Sequence, residues 1–219
     1  MKLSAKTISL LKNFSAINPS IVIKPGSTLA TMSTTKSIVA KAEVPDNFPN
    51  QVAIYNLGRF ISSYSLLDDP DLEFGDNSIT MKDSTKKVVY HCSDASLIIV
   101  PPEKEIKMPS VDVQCRVSNK DLQTVIKALG VLALPELAFV GDGENVMLQA
   151  TNSKEQSTDT YSINVGATDK TFRAIFKPEN IKVIDGDYEI RISSKGISQF
   201  VGTEVTYWIA VEQSSTFEG

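Results

Sequence analysis

Few residues in this chain could carry chemistry. His91 is the only histidine, and it stands beside Cys92 in Tyr90-His91-Cys92. A cysteine–histidine pair is the smallest unit of thiol catalysis, but the two side chains must face each other. Here the sequence alternates like a strand end, and adjacent strand residues point to opposite faces. A structural role therefore fits His91 better. Asp68, Asp69 and Asp71 gather three carboxylates around Pro70. They follow a helical pattern, where a proline-bearing acidic run reads as a solvated turn rather than a metal site. Gly141-Asp142-Gly143-Glu144-Asn145 has the composition of a calcium loop without the spacing to a terminal bidentate glutamate. The phosphate-cradling Gly-x-x-x-x-Gly-Lys-Ser/Thr loop and the Gly-x-Ser-x-Gly elbow are both absent from the sequence. Cys92 and Cys115 lack zinc-ligand spacing. No catalytic residue, metal or cofactor is expected.

The remaining candidates are lysines on helical patterns. Lys2-Leu3-Ser4-Ala5-Lys6 opens one such pattern, and Arg116-Val117-Ser118-Asn119-Lys120 opens another about half the chain later. Basic, apolar, Ser, small polar, Lys recurs in the same order. A repeat of that period indicates two similar domains rather than a solenoid. In the first copy Leu3, Thr7, Ile8, Leu10, Leu11, Phe14 and Ile17 share one half of the helical wheel. Ser4 and Ser118 are suited to N-caps, and Asp121 adds a capping box to the second.

The elements between these helices read mostly as short strands. Ile21–Ile23, Ile38–Val44 and Val52–Tyr55 lead to a helix over Asn56–Leu67. Leu72–Phe74, Ile79–Met81 and Val88–Tyr90 follow, with Gly75-Asp76-Asn77 as a hairpin turn, and Leu97–Val100 closes the first half. Lys24–Ser27 reads as a turn. The prolines of Pro101–Pro109 exclude a regular helix and mark an extended connector. Strand Val111–Val117, helix Ser118–Leu132 and the hairpin Leu137–Val140/Val146–Ala150 begin the second half. Strands at Thr160–Val165 and Phe172–Phe176 precede a short helix over Lys177–Ile184 with Pro178 in its first turn. Tyr188–Ile192, Phe200-Val201 and Val205–Val211 complete it, and the tail Gln213–Gly219 is compatible with either an ordered or a free state. Val52–Tyr55 corresponds to Arg173–Phe176, and Lys87–His91 to Glu204–Trp208. Strands with a few helices on one face give an α+β fold. The domains expected are 1–100 and 111–219, joined by a connector at 101–110.

Charge divides between these elements. The four helical segments carry Lys6, Lys12, Arg59, Lys120, Lys127, Lys177 and Lys182 against Asp121 and Glu179, a net +5 in a chain of net charge −4. A basic helical face attracts phosphate without reading sequence, while an acidic remainder repels it. Exposed helix faces also favour lysine for solubility alone, but four basic helices in an acidic chain are harder to explain that way. No stretch is long and apolar enough for a membrane span or a secretory signal. A membrane partner is not expected, and a reducing cytoplasm is the simplest setting.

The residues then resemble a known family. Met1-Lys2-Leu3-Ser4, Leu11-Lys12-Asn13-Phe14 and Ile17-Asn18 resemble the opening of the sliding clamps of T-even-type bacteriophages. Val52–Leu57 and Trp208-Ile209-Ala210-Val211-Glu212 are similar to the same family; the loops 27–37 and 151–160 carry no such likeness. The resemblance implies a non-enzymatic homotrimeric ring in the host cytoplasm. Each protomer would have two DNA-clamp domains of paired βαβββ repeats, with antiparallel sheets outside and helices lining a channel around double-stranded DNA. An ATP-dependent clamp loader would open the ring, and the ring would tether the replicative DNA polymerase. A role with late-transcription factors belongs to the same family. The seven helical cations would face DNA, with Lys2 and Arg116 as weaker candidates. Ile106, Met108, Pro109, Trp208, Ala210 and Val211 match the family's pocket for partner peptide tails, with Ile38 and Val39 as a second wall. Trp208 and Val211 serve equally as core residues of the second domain. A β-rich phage structural protein of tail or capsid is the main rival, and a metal-dependent hydrolase the second. Neither accounts for the basic helices.

Overall fold

In the computed structural model, which describes residues 1–155 and 157–218, the chain divides into two compact units, Met1–Lys104 and Glu105–Gly219. Gln156 and Gly219, which fall in the 151–160 loop and in the tail, lie outside the described residues.

The first unit opens with helix α1 (Ala5–Ile17), whose Leu10, Leu11, Phe14 and Ile17 are buried at helical spacing. Strands β1 (Ile21–Ile23), β2 (Gly26–Met32), β3 (Ile38–Phe48) and β4 (Val52–Ile54) follow, then helix α2 (Leu57–Tyr64) and strands β5 (Asp71–Phe74), β6 (Ser78–Lys82) and β7 (Lys87–His91). β2 pairs antiparallel with β3, β1 with β4, and β5, β6 and β7 form an antiparallel sheet in that order. Along β3 the alternation of Ile38, Ala40, Ala42 and Val44 sends one face into the core. Met1 stands where a further strand would: its amino group donates to the Leu72 carbonyl and the Leu72 N–H donates back to Met1, both at 2.7 Å.

In the second unit strand β8 (Val113–Val117) precedes helix α3 (Asn119–Val131) and strands β9 (Glu136–Asp142), β10 (Asn145–Thr151), β11 (Tyr161–Ala167) and β12 (Thr171–Phe176). A 3-10 turn at Pro178–Asn180 leads to β13 (Tyr188–Ser193), β14 (Ile197–Val201), β15 (Val205–Ala210) and a two-residue β16 (Thr216–Phe217). β11, β10, β9, β12 and β16 are neighbours in that order, and β15, β14, β13 and β8 in theirs, all antiparallel. β8 pairs with β13 as Met1 pairs with Leu72 beside β5. The order β8–α3–β9–β10–β11 recurs as β12–turn–β13–β14–β15, so the βαβββ unit repeats within this half, the second time with a single turn in the helix's place. Phe139, Phe176 and Phe200 interlock edge to face, their ring centroids 5.8–6.4 Å apart.

Three expectations need correction. Lys177–Ile184 is not a helix: only Pro178–Asn180 forms a 3-10 turn, and the Ile184 backbone bonds to two tyrosine hydroxyls instead of continuing a helical ladder. The helix expected over Asn56–Leu67 ends at Tyr64. Lys24–Ser27 is not wholly a turn, because β2 starts at Gly26, whose φ of +114° accompanies a register shift of the β2–β3 ladder between Gly26 and Thr28. Pro45 sits exposed within β3 without ending it.

Candidate nucleic-acid interface

Each helix is started by a side chain. The Ser4 hydroxyl accepts the Thr7 N–H at 3.2 Å, the Asn56 amide oxygen accepts that of Arg59 at 2.8 Å, and the Ser118 hydroxyl accepts that of Asp121 at 3.1 Å. At Ser118 the expected capping box closes through the hydroxyl, which donates to the Asp121 carboxylate at 2.6 Å. The start of α1 is also anchored from β3. Asp46 accepts from the Ser4 N–H at 3.0 Å, from the Ser4 hydroxyl at 2.7 Å and from the Thr7 hydroxyl. Burial pushes the Asp46 carboxyl up, but the bonds from Thr7 and Ser4 together outweigh it and hold the carboxyl below its ordinary range. Asp187 receives the Asn119 N–H at 2.7 Å and Asp185 the Gln123 amide at 2.9 Å, which fixes α3 to the 185–187 loop.

The outward faces of the helices are now defined. The exposed residues are Ala5, Ser9, Lys12 and Ala16 on α1, Gly58, Arg59 and Ser62 on α2, and Lys120, Gln123, Lys127, Gly130 and Val131 on α3. Every charged residue among them is basic. Asp121, the single acid within these helices, is half-buried at its cap. Lys6 is half-buried. Lys177 is exposed off any helix and lies 3.7 Å from Glu212; Lys182 is half-buried in the non-helical segment. Lys2 pairs with Asp69. Arg116 is exposed on β8 opposite Glu189. Four exposed cations, Lys12, Arg59, Lys120 and Lys127, thus stand on faces otherwise made of small, neutral or apolar groups.

The expected peptide-tail residues fall on two elements of the second unit. Ile106 and Met108 are half-buried and Pro109 exposed on the irregular connector. β15 alternates: Val205, Tyr207 and Ile209 are buried, while Thr206, Trp208 and Ala210 are half-buried on the other face. Val211 continues the buried phase, so it stands with the core and not beside Trp208. The Trp208 indole N–H is buried and meets no acceptor among the described residues. In the first unit Ile38 is a core residue and Val39 is half-buried.

Two of the carboxylates singled out in the sequence pair with lysines, and the His91-Cys92 pair is split between an exposed and a half-buried side chain. Burial pushes the Cys92 thiol up, which keeps it protonated, and His91 is exposed on β7. Asp68 pairs with Lys86 at 3.2 Å and Asp69 with Lys2. Backbone N–H groups of Asp68, Thr85 and Lys86 converge on Asp83 and bring its carboxyl to about 2. Sequence reasoning missed two further features. Among the described residues β7 and β11 each end a sheet with an unpaired side, which pattern alone does not reveal because partner order is set by topology.

The comparisons with known proteins follow the same division. A family model described as DNA polymerase processivity factor matches residues 2–100, and one described as gp45 sliding clamp, C terminal, matches residues 114–213. The sliding clamp of Vibrio phage KVP40 is 34% identical over 219 residues, covering 97% of this chain and 99% of that one. This chain belongs to the sliding-clamp family. The sliding clamp of Enterobacteria phage T4 is 30% identical over 229 residues, with both chains covered in full. Among solved structures, A. fulgidus PCNA with the C-terminal region of FEN-1 bound superposes with a TM-score of 0.71 at 12% identity, over 95% of this chain and 96% of that one. At that identity the likeness concerns the fold, which is the α+β clamp fold. Function follows with the family: a sliding clamp of phage DNA replication is a processivity factor that tethers a DNA polymerase.

Proposed function

We propose that three copies of this chain close head to tail into a ring around double-stranded DNA, with α1, α2 and α3 turned to the duplex. The observation that carries this reading is the sign of the exposed helix faces: Lys12, Arg59, Lys120 and Lys127 with no exposed acid, in a chain of net charge −4. Phosphate contact of this kind is sequence-independent and suits a slider, which must not be held at one register. Lys6, Lys177 and Lys182 contribute more weakly, being half-buried or ion-paired. The open sides of β7 and β11 support ring closure. Unpaired strand edges are templates for another chain, and pairing two different edges is the heterologous contact that generates rings.

In this reading domains 1–100 and 111–219 are joined by the connector 101–110. Tails of the replicative polymerase and of an ATP-dependent loader dock between Ile106, Met108 and Pro109 and the Trp208–Ala210 face, with Val211 bracing that face from the core side. The ring acts without catalysis of its own, in the host cytoplasm, and serves late-transcription factors by the same tethering.

The test is topological. Protein loaded on nicked circular DNA is retained through gel filtration at high salt and is released when the circle is linearised. Equal loss from both DNAs would refute encirclement.

A further inference from the structure

β16 is held by the shortest ladder in the second unit. It pairs with β12 through two residues, Phe172 opposite Phe217 and Arg173 opposite Thr216, whereas β12 pairs with β9 on its other side through six, from Thr171 to Phe176. The Glu218 N–H donates to the Thr171 carbonyl at 3.0 Å, the Ile175 N–H to the Ser215 hydroxyl at 2.9 Å and the Glu212 N–H to the Ile175 carbonyl at 2.8 Å. Gln213, Ser214, Thr216 and Glu218 are exposed. One apolar side chain anchors the whole run: the Phe217 ring stacks on Phe172, centroids 6.0 Å apart and planes 10° from parallel.

The surface under that ring belongs to the body of the second unit. Phe172 is buried and stands opposite Gly141 on β9. A Cβ at position 141 would lie 2.3 Å from the Phe172 ring, so the bare glycine makes the space in which the ring lies. Gly141, Phe172 and Phe217 thus form a row across three adjacent strands. The edge also carries a sign: Arg173 is on β12 and Lys177 follows it, and Lys177 already takes a carboxylate from the returning segment, Glu212, at 3.7 Å.

We infer that the outer edge of β12 is a strand-addition site for an extended, acidic peptide bearing an aromatic residue, and that the chain's own 213–218 segment occupies it as a displaceable strap. The occupant defines the ligand chemistry: Thr216-Phe217 supplies backbone pairing and one ring, Glu218 follows with an exposed acidic side chain, and the Glu212 carboxylate beside Lys177 marks the end of the edge that favours an acid. Recognition of this kind takes affinity from main-chain bonds and specificity from alternate side chains. Tethering gives the strap an effective concentration in the millimolar range. A partner tail at micromolar concentration displaces it only by binding roughly a thousandfold more tightly than the strap's own contacts do, so the strap screens out weak aromatic peptides. This goes beyond the peptide-tail face at Trp208, and only the identity of a natural competitor rests on the clamp reading.

The test uses the peptide Gln213–Glu218 carrying fluorescein, with binding read by anisotropy and neither polymerase nor DNA present. It therefore stands or falls apart from processivity. Three proteins are compared: the intact chain, a chain ended after Glu212, and the intact chain with Phe217→Ala. The shortened chain is expected to bind at least about tenfold more tightly than the intact chain, since the tethered competitor is gone. Phe217→Ala should fall between them, and the peptide carrying Phe217→Ala should not bind. Should the shortened chain fail to fold, by circular dichroism, the Phe217→Ala protein decides alone. A folded open-edge protein that binds no more tightly than the intact chain would overturn the inference.

Discussion

The Tyr188 and Tyr207 hydroxyls hold the backbone of one residue between them: Tyr188 donates to the Ile184 carbonyl at 2.5 Å, and Tyr207 accepts the Ile184 N–H at 3.0 Å. Both rings are buried, with centroids 6.1 Å apart. The arrangement satisfies the Ile184 backbone without a helix and fixes the loop whose Asp187 and Asp185 bind the first turns of α3. Tyr207→Phe keeps the ring and removes the acceptor. Leaving that N–H unpaired is expected to cost about 1–3 kcal/mol, read as a lower urea midpoint with unchanged slope. An unchanged midpoint would show that the hydroxyl is not holding the loop.

The same pair predicts an alkaline limit. Burial, the largest cause, raises both phenols, and brings Tyr207 to about 12. The folded state therefore keeps a proton that the unfolded chain releases near 10. Stability from this source is complete below pH 10 and is lost as pH rises from 10 towards 12. Melting temperature should decline through that window, and Tyr207→Phe should flatten the decline. A parallel decline in both proteins would assign it elsewhere.

α1 and α3 were legible because three signals agree there: a wide apolar stripe, a serine cap and, for α3, an acid in the first turn. The segment after Lys177 was not. Pro178 supplied a helix start, but the decisive partners lie on β13 and β15, far along the chain. β2 was missed for a related reason. Gly26-Ser27-Thr28 has turn composition, and its strand character comes from pairing with β3. Of the candidate site, residue types were readable and facing was not. Lys12 and Lys127 point outward, whereas Val211 belongs to the buried phase of β15.

Ala133 follows α3 in the left-handed region, φ 51°, while the Leu134 N–H donates to the Leu129 carbonyl at 2.9 Å. That closing geometry favours glycine, since a Cβ there costs about 1 kcal/mol. Ala133→Gly is expected to stabilise the protein by up to about 0.5 kcal/mol in chemical denaturation, once the roughly 0.4–1 kcal/mol cost of the more flexible unfolded chain is counted. Destabilisation would mean that the turn does not depend on this backbone state.

Equilibrium DNA binding should separate the lysines by their surroundings. Lys12→Ala or Lys127→Ala removes an exposed cation and should lower the slope of binding against salt by about 0.9 for each phosphate that is no longer neutralised. Lys177→Ala should change it less, because Glu212 lies 3.7 Å from that ammonium. Equilibrium binding to a linear duplex, where no topological link holds the protein, at several salt concentrations provides the comparison. Equal slopes for Lys127→Ala and Lys177→Ala would contradict the assignment of α3 to the duplex.

The ring itself is tested most directly by the solution mass of the free protein, taken by light scattering behind a sizing column across a concentration series. A species of three protomer masses that dissociates only on dilution is the predicted result. Monomer at every concentration would contradict a closed ring for the free protein.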